Sequence, residues 1–121
     1  MLNLNQVLVF SANPKKLVEF YSKLFKKSAD WTGGEFQAWK VGDGMLGVGP
    51  HSEVKGKNEN PAQIMFMFES VDVAGEFNRI KGLGAKVIAK PYHPGEDPKI
   101  TMATFADPDG NYFQLISPMT M

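Results

Sequence analysis

The fourteen residues Phe105-Ala106-Asp107-Pro108-Asp109-Gly110-Asn111-Tyr112-Phe113-Gln114-Leu115-Ile116-Ser117-Pro118 say more about the fold than any other stretch of the 121-residue chain. Pro108 presets the φ of a turn, and Gly110 supplies the positive φ that closes it. The apolar and aromatic residues on either side then read as the two arms of a hairpin, residues 101–106 and 112–116.

Upstream of this hairpin lie a proline-bounded loop at 91–98 and a strand at 86–90. Before them comes a helix over about 71–83, stopped by Gly82 and Gly84, and then a strand at 63–68. Residues 50–61 are polar and aperiodic, carrying Glu53, Lys55, Lys57 and Glu59, and read as a connecting loop. The preceding half begins with a strand at 6–10. Ser11, Ala12 and Asn13 offer a helix N-cap and Pro14 suits the first helical position. Leu17, Val18, Tyr21, Leu24 and Phe25 recur at helical spacing up to about residue 27, where Lys26 and Lys27 suit the negative end of the helix dipole. Gly33-Gly34 marks a turn, 36–41 a strand, Gly42-Asp43-Gly44 a hairpin turn and 45–49 its second arm.

A shift of 57 places lays Gln6 on Gln63, Val7 on Ile64, Val9 on Phe66, Asn13 on Ser70 and Phe20 on Phe77. The chain is therefore expected to hold two diverged copies of a strand, a helix and three further strands. At this length it fits one domain, residues 1–121. Module one spans about 1–50, the polar linker about 50–61 and module two about 62–118.

The closing run 105–118, the helix ending Phe20-Tyr21-Ser22-Lys23-Leu24 and the segment Ile80-Lys81-Gly82-Leu83-Gly84-Ala85-Lys86-Val87 together resemble the glyoxalase/bleomycin-resistance/dioxygenase superfamily, also called the vicinal oxygen chelate superfamily. The resemblance covers nearly the whole chain. It implies an α+β fold of two βαβββ modules whose sheets form an incomplete barrel around a cleft, with the helices outside.

Strand alternation then assigns faces. In that fold Val7, Val9, Ile64, Phe66, Phe68, Phe113 and Leu115 face the helices, and Gln6, Leu8, Phe10, Gln63, Met65, Met67, Tyr112, Gln114 and Ile116 face the cleft. The resemblance also implies metal-ligand positions, and these fall on Gln6, Gln63 and Gln114, where histidine and glutamate are usual. The fourth would come from Met45-Leu46-Gly47-Val48-Gly49, which has no ligating side chain. Three neutral amides bring no charge to offset a metal ion's lost hydration. The expectation is a site without metal or other cofactor. The glutamines admit two readings, solvated surface or ligand contact. Around them Leu8, Phe10, Met65, Met67 and Tyr112 would form a deformable apolar lining of the kind small-molecule sites use.

Composition narrows the function classes. Thirteen basic residues balance thirteen acidic ones, leaving no electrostatic footprint for nucleic acid or an anionic membrane. With no cysteine, thiolate chemistry and Cys-based metal sites are excluded. No segment approaches the roughly twenty apolar residues that span a bilayer, and the amino terminus lacks a secretory pattern, so a cytoplasmic protein is expected. Gly42-Asp43-Gly44-Met45-Leu46-Gly47 matches the letters of a dinucleotide fingerprint, but no helix follows to receive a pyrophosphate. Asp107-Pro108-Asp109-Gly110 lacks the remaining acids of a calcium loop. His51 and His93 lie in loops, His93 being the one that could reach the cleft mouth as a ligand contact.

Three function classes stay open. The first is a metal-free small-molecule binding protein, with Gln6, Leu8, Phe10, Gln63, Met65, Met67, Tyr112, Gln114 and His93 as candidate ligand contacts. The second is a glyoxalase-type lyase or ring-cleaving dioxygenase with a degenerate metal site. The third is a metal-independent lyase or isomerase using Tyr112 or His93 for proton transfer. The resemblance adds that such chains pair two-fold, so a homodimer is expected.

Overall fold

Backbone hydrogen bonds join the strands into two separate four-stranded sheets, each fed by one helix, in a computed structural model that describes residues 1–118. The chain divides into two compact units, Met1–Gly56 and a second beginning at Lys57, with the boundary inside the predicted polar linker. Each unit is a βαβββ module, and the fold is α+β.

The first unit runs β1 (Val7–Ser11), α1 (Pro14–Phe25), β2 (Trp31–Gly33), β3 (Phe36–Val41) and β4 (Gly44–Pro50). Its sheet order is β1-β4-β3-β2, with β1 parallel to β4 and the other pairs antiparallel. Pro14 begins α1 as expected, but the Asn13 side chain makes no capping bond; its backbone N–H donates to Ser11 Oγ at 2.9 Å. The helix stops at Phe25 rather than residue 27. Lys26 takes a left-handed conformation (φ 61°), and the N–H groups of Lys26 and Lys27 close the last turn on Lys23 O and Ser22 O. Leu17, Phe20, Tyr21 and Leu24 pack on one sheet face with Val9, Trp39, Leu46 and Val48, all buried. Trp39 also donates from Nε1 to Lys27 O at 3.2 Å, so the largest core side chain leaves no polar atom unpaired. Residues 31–33 form a short edge strand, so Gly33, expected in the turn, closes that strand, and Gly34 (φ 60°) makes the turn after it.

The second unit runs β5 (Phe66–Glu69), α2 (Val73–Gly82), β6 (Lys86–Tyr92), β7 (Met102–Ala106) and β8 (Tyr112–Ile116), in sheet order β5-β8-β7-β6. Val73, Phe77 and Ile80 of α2 are buried, as are Ala103, Phe105, Phe113 and Leu115 of the sheet. Phe105 stacks on Phe113 at 5.6 Å and lies 5.2 Å from Phe77. Asp72 caps α2, accepting from Gly75 N at 2.9 Å. The turn that announced the fold is held by Asp107, which is buried and accepts from the backbone N–H groups of Asp109 and Asn111 at 2.9 and 3.0 Å and from Asn111 Nδ2.

The sequence-based starts of β5 and β1 also need correction. Residues 61–64 form a turn instead of opening β5, because Gln63 N donates back to Asn60 O at 3.1 Å and removes the segment from the sheet. Ile64, expected to face α2, is accordingly 74% exposed. The first strand also begins one residue later than expected, leaving Gln6 ahead of it. In the segment from residue 66 onward the expected alternation holds, with Phe66 and Phe68 less exposed than Met67.

Candidate functional site

In the first unit α1 covers one face of the sheet, and the opposite face carries a hollow of about 340 Å³. It is lined by Gln6, Leu8, Trp31, Phe36, Gln37, Ala38, Met45 and Gly47. Register explains why these residues meet. Leu8 pairs with Gly47, Gly47 with Ala38, and Ala38 with Trp31, so one row crosses all four strands in the order large, none, small, large. The middle of the row is the floor, and Leu8 and Trp31 are its walls. At about 4.8 Å per strand those walls stand roughly 14 Å apart at the backbone.

Glycines shape this face. A Cβ on Gly47 would lie 2.8 Å from Leu8 Cδ2 and 3.4 Å from Gln6 Oε1, so both side chains lean over the bare backbone. The Phe36 ring lies against Gly49, with its Cγ 2.8 Å from where a Cβ would be, and the Trp31 indole lies over Gly33 in the same way, its Cζ2 2.7 Å away. Phe10 closes one end of the face, edge-on to Phe36 at 6.0 Å and to His51 at 5.0 Å. None of the eight lining residues is titratable. Gln37 has the opposite parity to Phe36 and Ala38, so its alternation points the side chain toward the other face. Gln6 is then the amide that faces the hollow, alongside the indole N–H of Trp31, and no hydrogen bond within the described residues engages that amide.

Gln6, Leu8 and Phe10 thus share one face in the first unit. The remaining sequence candidates lie in the second. Met67 and Gln114 are register neighbours on β5 and β8, and Gln114 pairs in turn with Thr104 of β7. Gln114 is buried and donates from Nε2 to Thr104 Oγ1 at 3.1 Å. Tyr112 is half-buried, two residues along the same strand. Met65 is exposed just ahead of β5, and Gln63 is exposed in the turn before it. His93 is exposed beyond β6, its Nδ1 2.9 Å from Ile100 O. Sequence reasoning missed Trp31, Phe36, Ala38, Met45 and Gly47. The signal was present in the alternate glycines Gly47 and Gly49: in a strand, glycine forfeits packing and marks a place where something else approaches the backbone.

The metal that the superfamily implies does not fit these residues. Gln6, Gln63 and Gln114 are neutral amides, which would offer only carbonyl oxygens and no charge to offset the ion's lost hydration. Among the described residues no three His, Cys, Asp or Glu side chains are grouped to hold a metal ion.

A family profile described as a glyoxalase-like domain matches residues 6–116. The chain belongs to that family. Solved structures agree on the fold. A glyoxalase/bleomycin resistance protein/dioxygenase family enzyme from Burkholderia phytofirmans is 19% identical with a TM-score of 0.75, over 98% of this chain and 100% of that one. A glyoxalase-related enzyme from Fulvimarina pelagi is 13% identical with a TM-score of 0.76, over 98% and 89%. A genomically encoded fosfomycin resistance protein from Listeria monocytogenes is 20% identical with a TM-score of 0.66, over 98% and 93%. A search of curated protein sequences finds no match. No helix among the described residues is long and apolar enough to cross a membrane.

Proposed function

We propose that this glyoxalase-like chain is a cytoplasmic small-molecule binding protein that works without a metal, as a homodimer, and that the hollow of the first unit is its ligand site. The observation that carries this reading is the lining itself. It is apolar apart from glutamine amides and the Trp31 indole N–H, and contains no charged side chain to balance a divalent ion and no group that transfers a proton near neutral pH. Its volume lies at the small end of the range for ligand pockets, roughly 300–1,000 Å³. Catalysis by proton transfer needs a titratable side chain within hydrogen-bond reach of the substrate, and the lining supplies none. Small-molecule handling is common to the superfamily, including the fosfomycin resistance protein of like fold.

The test combines elemental analysis with a thermal-shift screen whose hits are followed by calorimetry and by monitoring of turnover. The expected result is far less than one equivalent of zinc, nickel, manganese or iron, with saturable binding and an unchanged ligand. Near one equivalent of a divalent metal, lost in Gln6→Ala, Gln63→Ala or Gln114→Ala, overturns the reading in favour of a metal enzyme of the superfamily. Metal-free turnover overturns it in favour of a lyase or isomerase.

A further inference from the structure

The three glycines of the open face in the first unit have a common effect on shape. Gly33, Gly47 and Gly49 lie under Trp31, under Leu8 and Gln6, and under Phe36. Each lets a large side chain lie down along the sheet instead of standing on it. Trp31 is nevertheless 55% exposed, so one face of its indole stays available. A trough results, with a floor of bare backbone at Gly47 and the single methyl of Ala38, flat aromatic walls and no charge among its lining residues. A puckered or branched ligand would touch such a floor at a few points only, whereas a planar ring meets it across a whole face. Dispersion falls off steeply with small gaps, so this difference in contact decides affinity.

The polar end of the trough is as specific as its shape. Gln6 leans over the floor with Oε1 beside Gly47, and its amide is engaged by no hydrogen bond within the described residues. A primary amide presents an acceptor and a donor side by side. The group that satisfies both at once is another amide-like edge, an N–H next to a C=O, as in a lactam or a carboxamide.

We infer that the hollow selects a flat, uncharged ring system bearing an adjacent N–H and C=O, laid on the Gly47–Ala38 floor against the Trp31 indole, with that edge read by the Gln6 amide. This rests on the binding reading above and deepens it by naming the ligand class. Gly47 is the residue that sets shape specificity and Gln6 the one that sets polar specificity.

Four probes separate the components: quinolin-2(1H)-one, which is flat with the lactam edge; its octahydro analogue, with the edge but no flat ring; quinoline, flat without the edge; and quinoline-2-carboxylate, flat and charged. Binding is followed by calorimetry and by the Trp31 indole N–H resonance in the unliganded and titrated protein. Quinolin-2(1H)-one is expected to bind about tenfold or more tighter than each of the others, and to shift the Trp31 resonance but not that of buried Trp39. Gly47→Ala and Trp31→Ala should each weaken it about tenfold. Gln6→Ala, a change in an exposed residue ahead of the sheet, should bring it down to the level of quinoline while leaving quinoline unaffected. Circular dichroism of each variant reports whether it folds, and Trp31→Ala, on an exposed edge strand, carries the test if Gly47→Ala does not.

The inference is overturned if quinolin-2(1H)-one does not bind, if the saturated or the charged probe binds as tightly, or if the Gly47 and Trp31 variants bind it like the parent. A non-planar ligand found by screening, with affinity that falls in Trp31→Ala, would also overturn it yet leave the metal-free binding reading standing. A stoichiometric metal removes that underlying reading instead.

Discussion

Gln114 has two readings that make different predictions. As a purely ligand-facing amide it would contribute little to stability, but its Nε2 donates to the buried Thr104 hydroxyl across the strand pair β8–β7. Gln114→Ala removes that donor from a buried partner, so the protein should lose about 1–3 kcal/mol of unfolding free energy in urea titration; an unchanged midpoint would show that the bond to Thr104 adds nothing to stability. Asp30 makes a prediction of the opposite kind, on pH. Lys27 Nζ lies 2.7 Å from Asp30 Oδ2, and the Lys40 backbone N–H donates to the same oxygen at 2.7 Å. The lysine's hydrogen bond, then that of the backbone, holds the Asp30 carboxyl below the usual aspartate range. A carboxyl lowered in the folded state stabilises fully above the unfolded-state pKa, and that contribution is lost as pH falls through the folded value. Asp30→Asn should therefore lower the melting temperature at neutral pH, with the gap to the parent closing in the acid range. A gap independent of pH would assign the effect to something other than the charge.

The two helices show where a sequence motif does and does not become a contact. Both are preceded by a residue of good capping type, yet Asp72 caps α2 through Gly75 N while Asn13 makes no side-chain cap bond to α1. Asp72→Ala should cost about 1 kcal/mol and Asn13→Ala much less, measured by chemical denaturation; equal losses would contradict the geometry. The elements were largely legible because their signals are local. The Asp107-Pro108-Asp109-Gly110-Asn111 turn, the periodicity of α1 and the glycine stop of α2 each act over a few residues. Less legible were elements fixed by partners elsewhere in the chain. Trp31–Gly33 is a strand because it pairs with β3, and Gln63 leaves the sheet because its N–H closes a turn on Asn60. The site was half legible for the same reason. Alternation put Gln6, Leu8 and Phe10 on one face, but only register shows that Gly47 and Ala38 lie between Leu8 and Trp31.

For the molecule as a whole, the open sheet surfaces bear on assembly. In each unit one sheet face is covered by its helix, while large apolar side chains remain exposed: Leu8 and Trp31 in the first, Met65, Met67 and Tyr92 in the second. Both sheets also end in strands with a free edge, β1 and β2 in one and β5 and β6 in the other. Unpaired edges and exposed apolar groups invite association, and in soluble proteins a closed two-fold pairing is the commonest outcome that ends it without open growth. The homodimer expected from the superfamily resemblance would therefore bury some of this surface. Light scattering should give twice the 13.4 kDa chain mass at micromolar concentration. Tryptophan supplies an internal discriminator, because Trp39 is fully buried within the first unit and Trp31 is not. If the interface covers the first sheet's open face, dilution to the monomer should shift Trp31 emission to longer wavelength and leave Trp39 alone. If the β1, β5 or β6 edge pairs instead, mass should fall on dilution with no spectral change. A monomer mass over the whole range would mean that the exposed apolar face belongs to ligand binding alone.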